Sequence, residues 1–196
     1  DNPPTVDGSQ IVVVTVSVND AASNDAWDPL ANQTVAVTNQ DDDSAGFAIS
    51  KAAVTVSESG ASETFTVVLT ARPLSTVVLS AVSANTSEAT VTPAQLSFSA
   101  ATWNTPQTIT VRGVDDFRLD GNQTTTVTVA VSDALSNDAW DPLADQTVSV
   151  TNLDNDAAGF VLSKSDVAVT EGGGADTFTV VLTAQPEPNV VLLLSS

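Results

Sequence analysis

Hydrophobic and polar residues alternate one by one along much of this chain, so the dominant period is two rather than 3.6. In TFTVVLTA, Phe65, Val67 and Leu69 point one way while Thr64, Thr66 and Val68 point the other, as on a pleated strand. QTITVRGV sets Ile109 and Val111 on one face between Thr108 and Thr110. TTTVTVAV does the same with Val127, Val129 and Val131. Shorter strands are predicted at 53–56, 77–81, 96–98 and 147–150. Turn signals separate them: Glu58-Ser59-Gly60, Arg72-Pro73 and Asp120-Gly121. About seven short strands in about 110 residues predict an all-β sandwich. No helical stretch competes.

The pattern repeats. NDAWDPLANQTVAVTNQDDDSAGF, starting at Asn24, returns as NDAWDPLADQTVSVTNLDNDAAGF, starting at Asn137. ETFTVVLTARP, from Glu63, returns as DTFTVVLTAQP, from Asp176. Both offsets are about 113 residues, which sets the unit length and predicts β-sandwich repeats in tandem. On this frame residues 1–45 are the C-terminal part of one unit, 46–158 a complete unit, and 159–196 the N-terminal part of the next. The chain lacks an initiator Met and is expected to be a piece of something longer. Each partial unit carries alternating Val and Thr strands with unpaired edges. Together the two partial units miss the counterpart of about residues 84–113. Order at the ends therefore implies a parent chain that continues, the preferred expectation, or head-to-tail pairing of copies into an open filament.

Composition then removes whole classes of chemistry. The chain has no Cys, Met, His or Tyr, so no disulfide framework, zinc cluster, haem ligand or Cys/His nucleophile pair can be built. Its formal charge is −19, against binding nucleic acid or anionic lipid. Partners should be cations, basic surfaces or neighbouring copies of the same unit. Hydrophobic residues make up 42%, enough for a core, so the acidity does not mean disorder. No run approaches the roughly 18 apolar residues of a membrane helix. The absence of Cys fits an exported protein that folds without oxidative help, as it would a cytosolic one, and the location expected is extracellular, at the cell surface.

The acids sit at predicted strand ends. Asp115 and Asp116 close QTITVRGV, and Asp120 precedes TTTVTVAV. Asp154-Asn155-Asp156 follows TVSVTNL, and Asp41-Asp42-Asp43 takes that place in the preceding unit. Glu58 lies in the turn after the first full-unit strand, and Glu171 occupies the same position in the next unit. Hard oxygen ligands in this number suit Ca2+, which takes six to eight oxygens. Acidic loops often do no more than keep a protein soluble. Carboxylates packed at 4 Å, however, repel by about 1 kcal/mol per pair even in water. Repeated clusters at strand ends therefore call for a compensating cation.

VSESG, the span SFSAATWNTPQTITVRGVDDFRLD and the closing TNLDND resemble a Calx-beta repeat, in the version found in tandem in large bacterial surface proteins and adhesins. The resemblance covers essentially the whole chain, with its most specific part in WNTPQ followed by a strand and Asp-Asp. It implies an immunoglobulin-like sandwich with Ca2+ at one end, near the exit to the next domain. The implied ligands are Glu58, Asp115, Asp116, Asp154 and Asp156, and after them Glu88 and Asp120. Gln123 stands where exchanger domains of this family carry acids, and Asn155 replaces one acid of the closing triplet. The first unit's Asp-Asp pair is truncated to Asp1-Asn2-Pro3-Pro4, so its site, with Asp41 and Asp43, is expected to be incomplete.

Other conspicuous residues carry blander readings. Trp27, Trp103 and Trp140 could stack on sugars, but one Trp per repeated motif reads as a core or edge plug. Asn32, Asn85 and Asn122 open glycosylation sequons of a kind that arises by chance in a Thr-rich chain. No His or Lys stands ready to activate a Ser or Thr. Asp115 and Asp116, neighbours in one loop, are poorly placed to flank a substrate as glycosidase carboxyls do. The chain is therefore not expected to be an enzyme. The function expected is a calcium-stiffened extender repeat of an extracellular adhesin or cell-surface fibre. The alternative is a glycan- or protein-binding sandwich module.

Overall fold

The computed structural model of the chain describes residues 3–195. Thirteen strands carry the fold: β1 (Gln10–Val16), β2 (Gln33–Asn39), β3 (Phe47–Ile49), β4 (Ala53–Ser57), β5 (Ser62–Leu69), β6 (Val77–Ser83), β7 (Ala89–Thr92), β8 (Gln95–Phe98), β9 (Gln107–Gly113), β10 (Gln123–Val131), β11 (Gln146–Leu153), β12 (Phe160–Leu162) and β13 (Val180–Leu182). Strands β3 to β11 form an immunoglobulin-like sandwich. One sheet has the order β4-β11-β10-β6-β8 and the other β3-β5-β9-β7. All pairings are antiparallel except β4 with β11, the first and last strands of their sheet, which run parallel.

Alternation builds the core. Phe65, Val67 and Leu69 of β5 are buried, as are Ile109 and Val111 of β9 and Val127 and Val129 of β10. They meet Val77, Leu79 and Ala81 of β6 and Leu96 and Phe98 of β8. Burying each such side chain stabilises the fold by roughly 1.5–3 kcal/mol before entropy is counted. Trp140, in the connection from β10 to β11, is fully buried and closes the core as a plug. Trp103 packs partly buried against the same cluster. Trp27, the counterpart of Trp140 one repeat earlier, is instead 61% exposed, because β1 and β2 have no opposing sheet among the described residues.

Nine strands lie between Phe47 and Leu153, against the seven expected. The two extra ones, β3 and β7, have three and four residues. Each buries one side chain, Phe47 or Ala89, too few for a period to register. Two short 3-10 turns, Asp20–Ala22 and Asp133–Leu135, also interrupt the otherwise all-β chain.

The flanking pieces copy parts of this sandwich. β1 pairs with β2 from Gln10↔Asn39 to Val16↔Gln33, the register of β10 on β11 from Gln123↔Asn152 to Val129↔Gln146. β12 pairs with β13 from Phe160↔Leu182, matching Phe47↔Leu69 between β3 and β5. Each correspondence spans one full period of the sequence repeat.

Candidate metal centre

At one end of the sandwich the inward alternation runs on past the apolar residues. On β4 the buried positions Val54 and Val56 are followed by Glu58, which is 2% exposed. On β11 Val148 and Val150 are followed by Asn152, 1% exposed. Since β4 and β11 run parallel in register, both polar residues emerge at the same end. The Glu58 N–H donates to Leu153 O at 3.1 Å, which fixes the turn after β4 against the end of β11.

β9 delivers the third element of this end. After Ile109 and Val111 the next inward position is Gly113, the last residue of β9, and the exposed Asp115 follows two residues on. A Cβ on Gly113 would lie 2.3 Å from Ser57 O and 2.6 Å from Asn152 Oδ1. Only glycine admits that approach. Asn152 Nδ2 then donates to Val114 O at 3.0 Å and reaches Glu88 Oε2 at 3.4 Å, tying β11 to the loop that follows β9.

The closing triplet folds over this floor. Asp156 N–H donates to Asp154 Oδ1 at 2.7 Å, and Gly121 N–H donates to Asp154 Oδ2 at 2.8 Å. Gly121 has φ +73°, a left-handed conformation that suits glycine. Asn155 N–H donates to Glu58 Oε2 at 3.2 Å, and Asn155 Nδ2 donates to Asp115 Oδ1 at 3.1 Å. Asn122 Oδ1 accepts the Asp154 N–H at 3.1 Å.

Glu58, Asp154 and Asp156 each offer one carboxylate oxygen, and these lie within 4.8 Å of one another. Oxygens bound to a single Ca2+ at about 2.4 Å sit no more than about 4.8 Å apart, so the spacing fits one ion. The electrostatics point the same way. Burial pushes the Glu58 carboxyl above its ordinary value, against the Asn155 hydrogen bond, and the charges of Asp154, Asp116 and Asp156 push it further. Asp156 is also raised, first by burial and then by Asp154, Asp115, Asp116 and Asp120. Its Oδ2 is buried and has no hydrogen-bond partner. Among the described residues the ion pairs are Lys51–Glu63, Arg118–Glu187 and Lys164–Asp176, and none of them neutralises this cluster.

The remaining residues expected at the site are distributed around it. Asp115, Asp116 and Asp120 line an open groove with Glu88 beside the three closest carboxylates. Asp41 and Asp43 lie in the first piece of the chain, where backbone N–H groups hold Asp41 as they hold Asp154. Gly8 N–H donates to Asp41 Oδ2 at 2.6 Å, Asp43 N–H to Asp41 Oδ1 at 2.9 Å, and Thr5 N–H to Asp43 Oδ2 at 2.8 Å. The N–H groups of Asp43 and Gly8 lower the Asp41 carboxyl, opposite in direction to Glu58 and Asp156. Asp1 and Asn2, the truncated pair of that unit, lie outside the described residues. Glu171 sits exposed in a turn of the last piece. Sequence reasoning did not place Asn152 or Asn122 at the site. The signal for Asn152 was available, since TNQDDD and TNLDND both carry the amide one step inside the acids.

No protein-family model matches this sequence, and no curated protein matches it. Among solved structures, the chain is similar to the E. coli chaperone DraB, with 9% identity and a TM-score of 0.42 over 57% of this chain and 56% of that one. It is similar to the periplasmic chaperone SfaE, with 12% identity and a TM-score of 0.42 over 56% of this chain and 58% of that one. Domains 4 and 5 of the S-layer protein SbsC align with 20% identity and a TM-score of 0.39 over 62% of this chain and 59% of that one. The chain thus spans little more than half the length of these proteins. No helix among the described residues is long and apolar enough to cross a membrane.

Proposed function

We propose that the chain is a stretch of tandem Calx-beta-like repeats acting as a calcium-stiffened extender in a large extracellular adhesin or cell-surface fibre. The observation that carries this reading is the grouping of Glu58, Asp154 and Asp156 at the end of the sandwich from which the chain leaves for the next unit. These three would hold Ca2+, with Asp115, Asp116 and Asp120 completing the shell directly or through water. The ion would neutralise carboxylates that otherwise repel, and would tie the turn after β4, the loop after β9 and the exit after β11 into one body. No catalytic role is assigned to these acids, because Asp115 and Asp116 are neighbours in one loop, poorly placed to flank a substrate.

A ligand that binds only the folded state adds RT ln(1 + [L]/Kd), so Ca2+ at about 100 Kd adds about 2.7 kcal/mol. Thermal melts in Ca2+ and in EGTA test the proposal, and the Ca2+ sample should melt higher. Superimposable curves would remove calcium from the function.

A further inference from the structure

The loop after β9 also reaches into the following unit, and residues 4–6, its counterpart one period earlier, do the same. In the first instance Arg72 N–H donates to Pro4 O at 2.8 Å and Val6 N–H donates to Arg72 O at 3.2 Å, forming a parallel bridge between Thr5 and Arg72. In the second, one period further on, Gln185 N–H donates to Phe117 O within a parallel bridge between Arg118 and Gln185. Thr5 has become Arg118 and Arg72 has become Gln185, yet the bridge persists, because main-chain groups make it.

One side-chain property is retained across both. Val6 packs, partly buried, against the core of the complete sandwich, as does Ala45. Leu119, its counterpart, is 43% exposed, yet it lines an apolar pocket with Ala158 and with Phe160, Leu182, Ala184 and Pro186 of the last piece, which forms only two short strands among the described residues. Those pocket residues correspond to Ala45, Phe47, Leu69, Ala71 and Pro73, of which Phe47, Leu69 and Ala71 belong to the buried core. The flanking acids belong to the unit's own end, whereas the apolar residue between them belongs to its neighbour.

We propose that Val6 and Leu119 are plugs that seat the end of each unit in the open end of the next unit's core, and that this latch holds without a cation. The partner it fits is a second unit of the same kind, which presents Ala, Phe and Leu around the socket and a free main-chain N–H and C=O beside it. The latch stands whether or not the acidic cluster takes Ca2+. It fixes where two units touch, and an ion would act on whatever freedom remains about that point.

The test uses the full 196-residue chain carrying the label sites Thr15→Cys and Ala101→Cys, one on each side of the first joint. Nitroxide labels there give a distance distribution by pulsed electron resonance, measured in EGTA so that no calcium contributes. The parent sequence should give one narrow peak, Val6→Leu should keep it, and Val6→Asp should at least double its width. Near-UV circular dichroism of buried Trp140 reports whether the complete sandwich stays folded; if Val6→Asp disturbs it, Val6→Ala takes its place. An Asp or Ala variant as narrow as the parent in EGTA overturns the plug, as does a parent distribution already as broad as the variant's. Adding Ca2+ to the parent tests the calcium reading separately, because that comparison changes the buffer and not the plug.

Discussion

Replacing Glu58 with Gln separates a cation site from a merely acidic surface, because the two buffers give opposite signs. The change keeps the shape of the side chain and leaves an oxygen to accept the Asn155 N–H, so the turn after β4 survives. It removes the charge from one of three carboxylates whose oxygens lie within 4.8 Å. In EGTA the parent must keep a buried carboxyl that burial and the charges of Asp154, Asp116 and Asp156 disfavour, so Glu58→Gln should melt higher than the parent. In Ca2+ the order reverses. At about 100 Kd the parent gains about 2.7 kcal/mol. A hundredfold weaker site, the scale expected for losing one charged ligand, leaves the variant near its Kd with a gain of about 0.4 kcal/mol. The variant's response to Ca2+ is thus smaller by about 2.3 kcal/mol, roughly 9 °C for a domain of this size, and its deficit in Ca2+ is that figure less its advantage in EGTA. Calorimetric melts of both proteins in both buffers make the measurement. A displacement of the same sign and size in Ca2+ and in EGTA would refute the reasoning.

The same pair of proteins gives a pH test. Glu58 is raised above its ordinary value of 4.5, so the stability it contributes in EGTA is complete below that value and is lost as pH rises through the raised one. The advantage of Glu58→Gln should vanish near pH 4 and grow as the pH rises, and a pH-independent advantage would exclude the charge as its cause. Gly113→Ala forces a Cβ to within 2.3 Å of Ser57 O and should cost about 1–3 kcal/mol, read as a lower urea midpoint at unchanged slope. An unchanged midpoint would mean that the floor of the site yields easily. Small-angle scattering on a chain of several complete units should give a larger maximum dimension in Ca2+ than in EGTA, and equal dimensions would end the stiffening proposal.

Alternation made the long strands legible. β5, β9 and β10 each present at least two inward apolar residues separated by Thr or Val, and the structure buries the expected ones except Val131, which is partly buried. β3 and β7 were too short to show a period, and the parallel pairing of β4 with β11 joins residues almost a whole unit apart, which no local pattern encodes. The acids of the site were legible because carboxylates at strand ends recur with the repeat. Its depth was not. Glu58 reads as a turn residue until it is counted as the third inward position after Val54 and Val56, and the structure buries it there. Amides were harder still: Asn155 looked like a missing acid, yet its N–H and Nδ2 join Glu58 to Asp115. The period gave the correspondence of the ends, but the plug at Val6 and Leu119 involves single apolar residues in acidic loops and leaves no pattern.

The parallel pair of β4 and β11 bears on how the sandwich meets a pulling force. The chain enters the sandwich at β3, held to β5 by three aligned positions, and leaves it shortly after β11. Once β3 yields, tension draws β4 and β11 in opposite directions along their shared axis. Five aligned positions, from Ala53↔Ser149 to Ser57↔Leu153, then carry the load side by side in shear. An antiparallel pair pulled apart from one end would instead open one hydrogen bond at a time. Resistance of this kind is set by the barrier to unfolding rather than by equilibrium stability. Glu58 and Leu153, joined where the strands reach the acidic end, are the last link of that clamp.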